Sequence, residues 1–213
     1  MSREAALGYD DGMTELDQHP LQSERQWVHS LVPRIQKALE VSNTLEASVE
    51  VRDGKKLAYT YGIYQYSEDN ASQSISARYE TDLLIYDSHE NGTWVPRVVV
   101  EFKMGGVNTH DPLTYSTKAA THKHVHPYLR YGFLVGGIHA IPGRLIKHGA
   151  FFDFMATWVS LEPTPDEWRD FIEVLKDELV ASRTTQDILT TRRSASKARY
   201  NILHRPLKLR ETH

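Results

Sequence analysis

No cysteine occurs anywhere in the 213 residues of this chain. Disulfides, cysteine-ligated zinc and iron–sulfur clusters are therefore excluded, and a reducing cytoplasm is the expected compartment. No apolar run approaches the roughly 18 residues that a membrane-spanning helix needs. The opening stretch MSREAALGYDDGMTELDQHP is acidic and has no apolar signal core, so export by that route is not expected. Internal repeats are missing, and so are helicase or ATPase motifs.

What is present is ordinary for a globular domain: 40% hydrophobic and 25% charged residues. The length suits one domain with a substantial core and a terminal appendage. The net charge of -3 is unevenly spread. From Arg183 onward, eight lysines and arginines face only Asp187 and Glu211, a local +6, which leaves -9 for the remainder. A basic terminal segment suits a polyanionic partner, or simply a solvated tail. Three segments follow: a polar arm over 1–20, a domain over 21–182 and a basic appendage over 183–213.

Within the domain, Ser23 and Gln26 fit a capping box that opens a helix with the apolar stripe Val28, Leu31, Ile35 and Leu39. Pro33 predicts a kink or break in it. LEASVEVRDGKKLAYTYGIYQY reads as a hairpin turning at Asp53-Gly54, and ISARYETDLLIYD as the next strand. Val98 to Lys103 (VVVEFK) close a further strand. Asp111 and Pro112 predict the N-cap and first residue of a helix ending near His124. YGFLVGG is a buried strand, so helix and strands form a right-handed βαβ unit with a parallel pair. GAFFDFMATWVSL gives another strand. Thr164 to Glu167 form a second capping box before a helix carrying Trp168, Phe171, Ile172, Leu175 and Leu179. The order is α-β-β-β-α-β-β-α, a mixed α/β domain.

The chemistry-bearing residues sit at the end of the valine strand. Alternation puts Val99, Glu101 and Lys103 on one face and Val98, Val100 and Phe102 on the other. Charges at the end of a core strand cost desolvation unless they are used. If the preceding strand lies alongside, Asp82 faces Glu101 and Lys103. Two carboxylates beside a lysine suit a hard divalent cation such as magnesium, which takes one or two carboxylates with water and a phosphate completing the coordination. The lysine cannot ligate a cation, but it can hold a water, help remove its proton, or offset charge on a phosphorane. A surface ion pair between Glu101 and Lys103 on an edge strand is the bland alternative, worth about 1 kcal/mol or less.

Thr81-Asp82, eighteen residues, then Glu101-Phe102-Lys103, on this order of elements, resembles the PD-(D/E)-x-K nuclease superfamily. Asp82, Glu101 and Lys103 match its two acids and its lysine, while Thr81 stands where the motif has proline. The resemblance spans roughly residues 24 to 160 and implies a restriction-endonuclease-like αβββαβ core with a mixed central sheet flanked by helices. It further implies a magnesium-dependent DNA endonuclease, with manganese able to substitute, leaving 5'-phosphates and 3'-hydroxyls. Metal ligands would be Asp82, Glu101 and the Phe102 carbonyl. A small chain of this kind is most like a type II restriction endonuclease, which implies a homodimer cutting both strands of double-stranded DNA.

Other residues are candidates for lesser roles. Glu24 is the natural further acid on the first helix, although a helix N-terminus attracts glutamate in any case. Glu80 shares a strand face with Asp82. Lys118, His122 and Lys123 are expected to contact phosphates from the helix after the active strand. Arg192, Arg193, Lys197 and Arg199 are expected to do so from the tail. His122, His124 and His126 offer an alternative zinc or iron site for a different hydrolase. A non-catalytic nucleic-acid-binding module of the same fold is the remaining rival.

Overall fold

The computed structural model of the chain describes residues 23–68 and 70–191. Helix α1, Glu24–Leu39, starts at Ser23, whose side-chain oxygen accepts the Gln26 N–H at 3.2 Å. Trp27, Val28, Leu31, Ile35 and Leu39 are buried along one stripe. Pro33 does not break the helix as expected. A proline removes a single hydrogen bond, and burial of the stripe on both sides of it outweighs that loss.

Strand β1, Ser48–Asp53, does not form a hairpin with β2, Lys56–Ser67. It pairs antiparallel with β4, Leu83–Ser88, with Asp53 opposite Leu83. β2 pairs instead with β3, Asn70–Glu80, in a separate two-stranded sheet. Gly54, at φ +62°, redirects the chain out of the main sheet rather than reversing it. The excursion is closed at its base by Thr81, whose N–H and hydroxyl both donate to the Lys55 carbonyl at 3.1 and 2.8 Å. The segment expected to be one strand is thus two, divided at Thr81-Asp82. Its polar first half lies in the exposed ribbon, whereas Leu83 to Asp87 are buried throughout.

β5, Trp94–Met104, pairs antiparallel with β4; β6, Arg130–Gly136, and β7, Phe154–Trp158, then add in parallel. The main sheet runs β1-β4-β5-β6-β7 and is mixed, with the valine strand at its centre. α2, His110–Val125, makes the crossover from β5 to β6. Its start differs from expectation: Asn108 Oδ1 accepts the N–H groups of His110 and Asp111 at 2.8 and 3.1 Å. Asp111 reaches back to accept the Asn108 N–H at 2.9 Å. Asparagine rather than Asp111 therefore satisfies the first free donors.

Helices cover both faces. Val98, Val100 and Phe102 pack with residues of α1 and of α4, Pro165–Thr190. Val99 packs on the other face with Ala119 of α2, with Tyr131, Phe133 and Val135, and with Leu145 of α3, Gly143–His148. Thr164 and Glu167 form the expected reciprocal capping box. The boundary expected at residue 183 falls inside α4, where Arg183 pairs with Asp87 of β4. Among the described residues, no helix is long and apolar enough to cross a membrane.

Candidate active site

β5 outlasts its antiparallel neighbour. The β4–β5 register ends at Leu83 opposite Val100, so Glu101, Phe102 and Lys103 extend beyond β4. Asp82 occupies the opening, its Oδ2 accepting the Phe102 N–H at 2.9 Å. The N–H and C=O of one strand residue point the same way, so the Phe102 carbonyl faces this opening too. Thr81 holds Asp82 there through the N–H it donates to Lys55, a bond that proline at this position could not make.

Glu101 is fully buried, on the α2 face of the sheet. Its Oε1 accepts from the Tyr131 hydroxyl of β6 at 2.5 Å and pairs with Lys118 Nζ of α2 at 2.8 Å. Its Oε2 is buried and has no hydrogen-bond partner among the described residues. Burial, reinforced by the nearby Asp82 charge, pushes the Glu101 carboxyl up to about 7, against the opposing pull of Lys118 and Tyr131. The Tyr131 hydroxyl is raised well above its ordinary value by burial and by Glu101.

Lys103 does not pair with Glu101. Its Nζ lies 3.1 Å from Glu24 Oε1 at the start of α1, and a quarter of its side chain is exposed. Glu24 also receives the Met104 N–H at 3.5 Å. Tyr115 of α2 faces the same acids: burial first, then the charges of Asp82, Glu101, Glu24 and Asp111, raise its hydroxyl. Asp82, Glu101, Lys103, Glu24, Lys118, Tyr115 and Tyr131 thus gather at one end of the central strand. The ion-pair alternative fails on two counts, since β5 is an interior strand and each charge has another partner.

Of the remaining candidates, Lys118 lies within the site, where it meets Glu101 and donates to the Glu80 carbonyl at 2.7 Å. The others go elsewhere. The Glu80 carboxylate lies over the Gly54 turn, 3.4 Å from where a Cβ on that glycine would be. His122 is buried rather than phosphate-facing. Its Nδ1 bonds the Ala58 carbonyl at 3.1 Å, and burial takes its pKa down to about 4. Apolar packing against the ribbon explains the difference, because α2 turns this face to β2 and to Tyr131. Lys123 pairs with Asp153 at 2.6 Å, beside the start of β6 and away from Lys103. His122 and His126 lie one turn apart, both near the Ala58 carbonyl, but His124 is exposed on another side of the helix, so the three do not converge. Arg192, Arg193, Lys197 and Arg199 lie outside the described residues.

Tyr131 and Tyr115 were missed by the sequence reasoning. Tyr131 had one available signal: in a parallel pair with β5 it falls opposite Val99, on the face that carries Glu101. Among the described residues no three acidic or imidazole side chains form a ready-made metal cage. Magnesium does not require one, since one or two carboxylates plus water and phosphate suffice. The donor set fits such a cation. Asp82, Glu101 and the Phe102 carbonyl are hard oxygens, and the unpartnered Glu101 Oε2 is a buried acceptor that a proton or cation would satisfy. No family model matches the chain, and no curated protein matches it significantly.

Proposed function

We propose that the chain is a magnesium-dependent DNA endonuclease of the PD-(D/E)-x-K kind, most like a type II restriction enzyme that works as a homodimer. The observation that carries this reading is that Asp82, Glu101 and Lys103 lie at one strand end, where β5 runs past β4. The order of elements adds support. With the β2–β3 ribbon taken as an insertion, α1, β1, β4, β5, α2 and β6 give the αβββαβ order, antiparallel up to β5 and parallel after it.

Asp82, Glu101 and the Phe102 carbonyl would hold the cation, which when bound supplies a Lewis acid for activating water and neutralising phosphate charge. Manganese suits the same oxygen donors. Lys103, held by Glu24 and partly open to solvent, presents an ammonium at the mouth of the site. There it orients a water or offsets charge growing on the phosphate. Asp82 keeps the strand end fixed through the Phe102 N–H. Lys118 compensates the buried charge of Glu101. Two such sites are needed to cut both strands, hence the dimer.

The test is incubation with plasmid DNA and magnesium, followed by end mapping. Discrete fragments carrying 5'-phosphates support a restriction enzyme, and a smear supports a non-specific nuclease. Intact DNA over a range of sequences and both metals would remove the reading.

A further inference from the structure

The two oxygens of the Glu101 carboxylate have opposite surroundings. Oε1 is held from two different elements, by the Tyr131 hydroxyl of β6 at 2.5 Å and by the Lys118 ammonium of α2 at 2.8 Å. Oε2, equally buried, has no hydrogen-bond partner among the described residues. Both donors are themselves fixed. Tyr131 is fully buried, stacked at 5.8 Å on the His122 ring and at 6.4 Å on Phe152. Lys118 is anchored by the Glu80 carbonyl at 2.7 Å, and its head lies 5.9 Å from the Tyr79 ring centre.

A carboxylate clamped in this way cannot turn both oxygens toward one cation without giving up two hydrogen bonds, one of them to a buried hydroxyl. We infer that Tyr131 and Lys118 are positioning residues that hold Glu101 to single-oxygen ligation through Oε2, and so set the preference of the site for small divalent cations over calcium. Magnesium takes one oxygen per carboxylate in a tight octahedron. Calcium accepts more ligands at longer range and gains from carboxylates that bind through both oxygens. Donors to a ligating carboxylate orient it in the same sense as the partners of a metal-bound histidine. The inference rests on the cation-binding reading of Asp82 and Glu101 and goes beyond it, because it assigns the selectivity to residues that touch no cation.

The test needs no DNA. Magnesium and calcium are each competed against manganese, with free manganese followed by electron paramagnetic resonance, for the wild type, Tyr131→Phe and Lys118→Gln. The ratio of the two dissociation constants is the readout. Loss of charge at Lys118 strengthens both cations alike, and general loosening weakens both alike, so neither moves the ratio. Each substitution is expected to shift the ratio toward calcium by roughly tenfold, the scale typical of second-layer partners. Thermal unfolding identifies a variant that fails to fold, in which case the other one decides, since each removes one of the two donors. An unchanged ratio in a folded variant overturns the inference while leaving the nuclease reading intact. A wild type that binds none of the three cations overturns both.

Discussion

The ammonium of Lys103 lies 3.1 Å from the Glu24 carboxylate on α1, whereas the carboxylate of Glu101, two residues earlier on the same strand, is matched by Lys118 from α2. The strand therefore draws a separate partner from each of two helices, and neither charge is spent on the other. Lys103 is left partly exposed at the mouth of the site, and Glu101 is sealed beneath it.

Replacing Lys103 by alanine is the sharpest test of its role. It removes a partly exposed pair with Glu24, so the stability cost should be about 1 kcal/mol at most. Single-turnover cleavage should fall by several orders of magnitude, because the reacting phosphate loses a preorganised positive charge. Lys103→Arg should rescue little, since a guanidinium is wider and keeps its proton. A folded Lys103→Ala protein that cleaves at the wild-type rate would refute the assignment.

Glu101 makes a prediction about stability that does not depend on activity. The folded protein binds its proton more tightly than the unfolded chain does, with the carboxyl raised from 4.5 to about 7. Its contribution is therefore fully present below about 4.5 and is lost as the pH rises through about 7. The full change amounts to roughly 3 kcal/mol. Glu101→Gln should remove this slope and be more stable than the wild type at about pH 8 in metal-free urea unfolding. The same variant should not cleave DNA. An unaltered slope would show that another group titrates there.

Asp82 accepts the Phe102 N–H and is proposed to ligate the cation, and a pair of substitutions separates the two. Asp82→Ala removes the acceptor of the Phe102 N–H and should cost about 1–3 kcal/mol as well as cleavage. Asp82→Asn keeps an acceptor for that N–H but not the charge. It should retain most of the stability and lose cleavage. Chemical denaturation beside a cleavage assay reads both, and an active Asn variant would exclude Asp82 as a cation ligand.

Asp87 ties the far end of β4 to β5 and α4 through Arg97 and Arg183. Burial works against its ionisation, yet Arg183 and Arg97 hold its carboxyl below the usual range. Arg97 itself is buried and lies 2.8 Å away. Asp87→Ala should destabilise the protein by roughly 3–5 kcal/mol, because a buried guanidinium loses its counter-charge. Its stabilising effect is present above the ordinary carboxylate range and declines as the pH falls. A variant within about 1 kcal/mol of the wild type would contradict the account.

Ending the chain at Thr191 should weaken DNA binding and reduce its salt dependence, as fewer phosphates would be neutralised and fewer counterions released. Binding isotherms over a salt series measure the slope. An unchanged slope would show that Arg192, Arg193, Lys197 and Arg199 do not meet phosphates.

The sequence by itself determined what is local. Periodicity and capping residues are short-range, so α1, α4 and the burial of the valine strand were legible, as was the alternation that separates Glu101 from Phe102. Asp82, Glu101 and Lys103 also stood out as charges that apolar flanking segments would not carry idly. Partnership was decided by the tertiary structure. β1 could pair with its neighbour across Asp53-Gly54 or with β4, and local propensity is the same for both. Only the buried face that Val49 and Val51 share with Leu83 and Ile85 selects β4 and sends β2 and β3 out as a ribbon. Helix rotation was equally hidden. The spacing of Lys118 and His122 on α2 does not say which way they point, and packing on the sheet turns one to Glu101 and buries the other against β2 and Tyr131. Tyr131 came into the site through strand register, a long-range quantity fixed only when β6 settles in parallel against β5.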